Sequence, residues 1–172
     1  MGLIPTLTLT VALALVATSC SSVDAVAAPG LDMGRYHAVV VNVDVSAARG
    51  AASVRSLILE GFKQELIRHG VDVVARDQLD KIIAEHGLNL SDMSAESRQQ
   101  LGQLTATDAI LDVKIVAYSD GKGVSGVRMR SGTIVATLID LETGQEVWKA
   151  RGDSGYPPIE RLPKRIMAEW PD

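Results

Sequence analysis

Apolar residues change their period several times along the chain, and each change marks an element. In Tyr36 to Val45, YHAVVVNVDV, Val39, Val41, Val43 and Val45 fall on one side, and Ala38, Val40, Asn42 and Asp44 on the other. That alternation predicts a strand buried along much of its length whose far end turns polar. From Arg49 to His69 the period becomes helical: Val54, Ile58, Phe62 and Leu66 line one face, Leu57 and Glu65 flank it, and Gly70 supplies a left-handed stop. Val71 to Ala75 is a short apolar run read as a buried strand. After Arg76 and Asp77, Leu79, Ile82, Ile83 and His86 recur at helical spacing up to Gly87. Strand, helix and strand in this order make a βαβ unit with parallel strands.

Further on, Ser94 is placed to cap a short helix over 95–104 that buries Leu101 and Leu104. In AILDVKIVAY, residues 109–118, Leu111, Val113, Ile115 and Ala117 face in, while Asp112 and Lys114 face out, the pattern of a half-exposed strand. Ser119 to Gly132 is glycine-rich and reads as a mobile loop or a loose hairpin end. Thr133 to Leu141 and Glu146 to Arg151 read as strands around a turn in which Gly144 takes the left-handed position. Ile159, Leu162, Ile166 and Trp170 form an apolar stripe on a last helix starting near 161–163, where Pro163 fits the first turn. The fold class predicted is α/β: a single domain with a mixed sheet of about five strands, the βαβ unit first, an antiparallel hairpin late, and flanking helices.

Residues 1–19, MGLIPTLTLTVALALVATS, hold no charge, and an N-terminal apolar stretch of this kind reads as a signal segment. Ala17-Thr18-Ser19-Cys20 resembles the bacterial lipobox, in which the cysteine is lipidated and becomes the mature N-terminus. Three outcomes fit the segment: lipidation at Cys20, which leads; ordinary cleavage near Ala25-Val26-Ala27; and an uncleaved membrane helix. The organisation expected is a signal peptide over 1–19, a lipidated cysteine and flexible spacer over 20–34, and one domain over 35–172. Cys20 is the only cysteine, which excludes an intramolecular disulfide.

The net charge of −4 and only six aromatic residues weigh against nucleic acid, whose binding draws on clustered cations and stacking rings. Gly121 to Gly126 spells G-x-G-x-x-G, but a strand rather than a helix is predicted after it, so no helix N-terminus is there to hold a pyrophosphate. His37, His69 and His86 lack metal-ligand spacing, and His69 and His86 fit the last turns of helices instead. Ser119 to Lys122 matches S-x-x-K without its usual partner motifs, and no nucleophile–base set can be assembled. No cofactor, metal or catalytic residue is expected. Candidate interaction residues are Arg76, at the strand–helix joint, and Lys122, Arg128 and Arg130, a small basic loop suited to an anionic surface.

Three stretches together resemble the CsgG-like family. VVARDQLDKIIAEHGLNLSD is similar to its signature segment, with Arg76, Leu79, Ile82, Ile83, Glu85 and Leu88 fitting and His86 standing where Gln is usual. LTATDAILDVKIVAYS is similar to its segment before a strand, with Asp108 matching, and VATLIDLETGQEVWKA to its late hairpin, with Asp140, Thr143, Gly144 and Trp148 in register. The resemblance covers residues 36–170 and extends to the TolB N-terminal domain and to LpoB. It implies an anticodon-binding-domain-like fold, lipid anchoring in the bacterial envelope on the periplasmic face at the outer membrane, and action through protein–protein contact with an unnamed envelope partner. The leading expectation is therefore a non-enzymatic binding or assembly lipoprotein. Its rival is an oligomerising subunit of an outer-membrane export complex of the curli type, and an enzyme of unrecognised type is disfavoured. A membrane-crossing strand takes about 9–11 residues, and Ser119 to Gly132 cannot supply two, so the pore of the curli export member does not carry over to this chain alone.

Overall fold

The computed structural model describes residues 22–74, 81–82, 84–87, 94–122, 128–155 and 158–171. Its centre is a six-stranded sheet of β1 (Val23–Ala27), β2 (Ala38–Asp44), β3 (Asp72–Val73), β4 (Ala109–Lys122), β5 (Arg128–Asp140) and β6 (Glu146–Ser154), in spatial order β1-β6-β5-β4-β2-β3. β2 runs parallel to β3 and β4, whereas β4, β5, β6 and β1 form an antiparallel series. The helices are α1 (Arg55–Arg68), α2 (Ala95–Thr105) and α3 (Leu162–Met167); residues 81–82 and 84–86 are helical as well. The mixed α/β domain read from the sequence is what the structure shows.

Strand parity decides where the core sits. Val39, Val41 and Val43 of β2, Ala109, Leu111, Val113 and Ile115 of β4, Ile134, Ala136 and Leu138 of β5, and Trp148 and Ala150 of β6 all point to one face. There they meet Ile58, Phe62 and Leu66 of α1, and Leu162 and Ile166 of α3. On the other face, Val40 and Ile110 pack with Leu101 of α2 and with Leu141, and Val74 and Ile82 lie against them. The first face is an apolar layer across the sheet; the second is covered over β2 and the start of β4.

Caps and close approaches fix the ends. Ser94 Oγ accepts from the Ser97 amide at 3.2 Å, so α2 starts where the sequence reading places it. Pro163 lies in the first turn of α3, where its missing N–H is no loss. Trp148 Nε1 donates to the Glu169 carbonyl at 3.3 Å, and its ring meets that of Trp170 edge-on at 5.1 Å, tying the C-terminal helix to β6.

Four details differ from the sequence reading, each for a physical reason. Residues 23–27, inside the expected spacer, form the edge strand β1, paired with β6 from Val23↔Gly152 to Ala27↔Trp148. Val23 packs against the core, and backbone pairing holds the rest, because Asp24 to Ala27 are exposed and carry no apolar alternation. Ser119 to Gly132, read as a mobile loop or a loose hairpin end, is a hairpin end more regular than that reading, the β4–β5 ladder running out to Lys122↔Arg128. A register shift between Ile115 and Ala117 reverses the strand's phase. Ala117 is therefore exposed rather than inward-facing, and Tyr118 packs against the core in its place. Finally, Leu104 is 41% exposed, because α2 meets the sheet through Leu101 alone of the two.

Candidate functional site

The sheet has two chemically different ends. At the end where β2 and β4 begin, two carboxylates knit the chain together. Asp108 Oδ2 accepts from the amides of His37 at 2.7 Å and Ala38 at 3.0 Å, which clamps the start of β2 beside the start of β4. Asp140, 1% exposed, accepts from the Tyr36 hydroxyl at 2.9 Å, from the Thr143 amide at 2.7 Å and from the Thr143 hydroxyl at 3.0 Å, with Arg35 Nη2 at 3.2 Å. Burial alone would raise the pKa of Asp140, but the Thr143 and Tyr36 hydrogen bonds and the Arg35 charge outweigh it and hold the carboxyl below the usual aspartate range. Tyr36 moves the other way: burial, then the hydrogen bond to Asp140 and that group's charge, push its hydroxyl up to about 12. Gly144, at φ +71°, closes the β5–β6 turn, its amide donating to the Asp140 carbonyl at 2.8 Å.

A cleft of about 550 Å³ opens beside this junction, between Arg35 and Tyr36, α2 and Leu141–Glu142. Its floor is polar, but Asp108, Asp140 and Tyr36 already have partners within the fold. The cleft follows from how α2 is docked: Arg98 donates to the Gly144 carbonyl and Gln99 to the Glu142 carbonyl. The junction keeps the fold closed, its carboxylates and the Tyr36 hydroxyl being engaged within the domain. Among the described residues no cluster of three or more His, Cys, Asp or Glu could hold a metal ion.

The opposite end carries the cations. Beyond Lys114 on β4 and Gly132 on β5, the two strands pair only with each other among the described residues, and they form an exposed two-stranded arm. Lys122, at the end of β4, is exposed. Arg130 is not an unengaged loop cation: its guanidinium donates to Glu160 Oε1 in the turn before α3. Glu160 Oε2 is buried without a hydrogen-bond partner, so Arg130 is the group that offsets this carboxylate's burial. Asp153 accepts from Thr133 and Arg151 and is held below the usual aspartate range, first by Arg151 and then by Thr133.

Of the residues singled out by sequence, Lys122, Arg128 and Arg130 thus lie on the paired arm, Arg128 being placed by its backbone alone. Cys20 and Arg76 lie outside the described residues, as do Asp77, Asp80 and Leu88. Glu85 and His86 are exposed and helical, and Gly87 has the positive φ of a helix stop. Missed from the sequence was the group Arg35, Tyr36 and Asp140; its one signal was the Asp-x-x-Thr-Gly spacing, which defines a turn without naming Tyr36 as its partner.

No protein-family model matches the chain, and no curated protein matches it. Solved structures do. The PelC dodecamer from Paraburkholderia phytofirmans superposes with a TM-score of 0.51 at 16% identity, over 86% of this chain and 92% of that one. A point variant of that protein gives 0.54 at 16%, over 86% and 93%. Lipoprotein GNA1162 from Neisseria meningitidis gives 0.54 at 17%, over 76% and 92%. What they share with this chain is the fold. One is described as a dodecamer and one as a lipoprotein, and both are matched over nearly their whole length.

Proposed function

We propose that this chain is a non-enzymatic, lipid-anchored protein of the bacterial envelope that acts by protein contact and assembles with copies of itself. The observation that carries the reading is the arm, two strands that leave the sheet with both outer edges unpaired among the described residues. An exposed strand edge is a template for another chain unless it is blocked. Its outer rungs carry Asp120 and the exposed Lys122, charges that suit a specific polar contact and do not suit an apolar band facing lipid. The fold supports the same reading, since PelC with this fold is a dodecamer and GNA1162 is a lipoprotein. Lipidation at Cys20, on the periplasmic face of the outer membrane, supplies the anchor. This places the chain nearer the oligomerising export subunit than the solitary binding module.

Light scattering of the detergent-solubilised full chain tests assembly. Wild type is expected as a multimer, and a variant in which Asn-Gly replaces residues 119–131, with Glu160→Ala removing the carboxylate left unpaired, as a monomer that still unfolds cooperatively. A monomeric wild type at high concentration would refute self-assembly. Labelled palmitate that enters the protein equally well after Cys20→Ser would refute the anchor.

A further inference from the structure

The basic end of the domain also has an address. β1 begins at Val23, so only Ser21 and Ser22 separate it from Cys20. Fully extended, that stretch reaches about 11 Å, little more than a screening length of about 8 Å at physiological salt. With Cys20 in a bilayer, the Val23 end of β1 is held against the headgroups.

The neighbours of that end are fixed by register. Val23 lies opposite Gly152, and Asp153 N donates to the Ser22 carbonyl at 2.9 Å. A Cβ on Gly152 would meet Ile166 at 3.0 Å and Leu162 at 3.2 Å, so α3 lies directly on this stretch of β6. Alongside α3, between it and α1, runs a groove of about 570 Å³ lined by Arg68, Arg161, Lys164 and Arg165, with Glu65 and Glu160. Four cations and two carboxylates leave two positive charges in excess, in a chain whose net charge is −4. Glu65 and Glu160 are moreover engaged by Arg68 and Arg130. The acidic junction of Asp108, Asp140 and Glu142 lies at the other end of the strands, beyond Ala27↔Trp148.

We propose that the groove between α1 and α3 docks the phosphate headgroups of the anionic leaflet in which the chain is anchored, so that the domain lies on the membrane by its helical face in one orientation. The inference rests on the lipid anchor at Cys20 and adds an orientation to it. A basic side chain near an anionic leaflet contributes about a fivefold factor in affinity, and the short tether makes contact intramolecular, where even weak sites fill.

The test uses the full chain in nanodiscs of phosphatidylcholine, alone or mixed with phosphatidylglycerol, with amine acylation of individual lysines followed by mass spectrometry. Lys164 is expected to react about fivefold more slowly in the anionic discs, with recovery at raised salt, while Lys114 and Lys149 on the open sheet face keep their rates. Arg68→Glu with Arg161→Glu is expected to abolish the protection without changing far-ultraviolet dichroism. Anchored protein whose Lys164 reacts equally in both discs overturns this inference and leaves the anchor intact. Protein recovered outside the discs overturns both. Protection of equal strength in the neutral discs overturns it too, and points to a second copy of the chain over the groove.

Discussion

Removing one oxygen tests the acidic junction directly. Tyr36 is 2% exposed, and its hydroxyl donates to the buried carboxylate of Asp140 at 2.9 Å. A hydrogen bond to a charged acceptor contributes about 1.5–3 kcal/mol. In Tyr36→Phe, Asp140 keeps the two Thr143 bonds and Arg35, so the expected loss at neutral pH is about 2 kcal/mol, within that range. Linkage sets the pH window. The hydroxyl rises from 10.0 in the free side chain to about 12 in the fold, first through burial and then through the hydrogen bond to Asp140. A group whose folded value is raised contributes its stability fully below the unfolded value, and that contribution drains away as pH rises toward the folded one. The gap between wild type and Tyr36→Phe should therefore be full at pH 9 and close between pH 10 and about 12. Urea unfolding followed by the fluorescence of the buried Trp148 and Trp170 measures it across that range. A variant as stable as wild type at neutral pH, or a gap that stays constant into the alkaline range, would show that the hydroxyl does not bind the carboxylate as described.

Two more outcomes follow from close approaches elsewhere. A Cβ on Gly132 would lie 2.4 Å from the Ala117 carbonyl oxygen and 2.6 Å from Ile159 Cδ1; Gly132→Ala should therefore cost about 1–3 kcal/mol in thermal unfolding, and an unchanged melting temperature would contradict the packing at the base of the arm. Arg130→Ala should destabilise more than Arg130→Ala with Glu160→Ala together, since the single change leaves a partly buried carboxylate without its cation. A double-mutant cycle with coupling near zero would place that pair in solvent.

Most of the layered core could be read from periodicity because it depends on side chains. Val54, Ile58, Phe62 and Leu66 announce the buried face of α1, and Ile159, Leu162, Ile166 and Trp170 that of the C-terminal helix; all eight are buried. β1 could not be read the same way, since its pairing uses backbone groups that every residue carries. The paired arm was hidden for the same reason: Ser119↔Ser131 and Gly121↔Met129 form rungs without an apolar side to betray them. At the junction, Asp140 and Thr143 stood out through their turn spacing, whereas Tyr36 lies about a hundred positions earlier and meets Asp140 only because β2 is laid beside β4 and β4 beside β5. Local pattern encodes elements; a site assembled by sheet order appears only when the order is known.

Five of the residues that carry the resemblance, those of its second and third stretches, gather at one end of the fold. Asp108 clamps β2 to β4, Asp140, Thr143 and Gly144 build the β5–β6 turn, and Trp148 seats the C-terminal helix. All five serve the closed end of the sheet and have partners inside the domain. The arm, the Arg130–Glu160 pair and the groove beside α3 lie where none of those five reach. Residues that hold a scaffold are informative about fold and silent about contact. The surfaces proposed for contact, the arm for a second copy and the basic groove for the membrane, lie outside them. Exchanging residues 119–129 with those of another protein of this fold, with Arg130 kept on Glu160, should change assembly while leaving the unfolding midpoint near its original value, because the clamps at the opposite end remain whole.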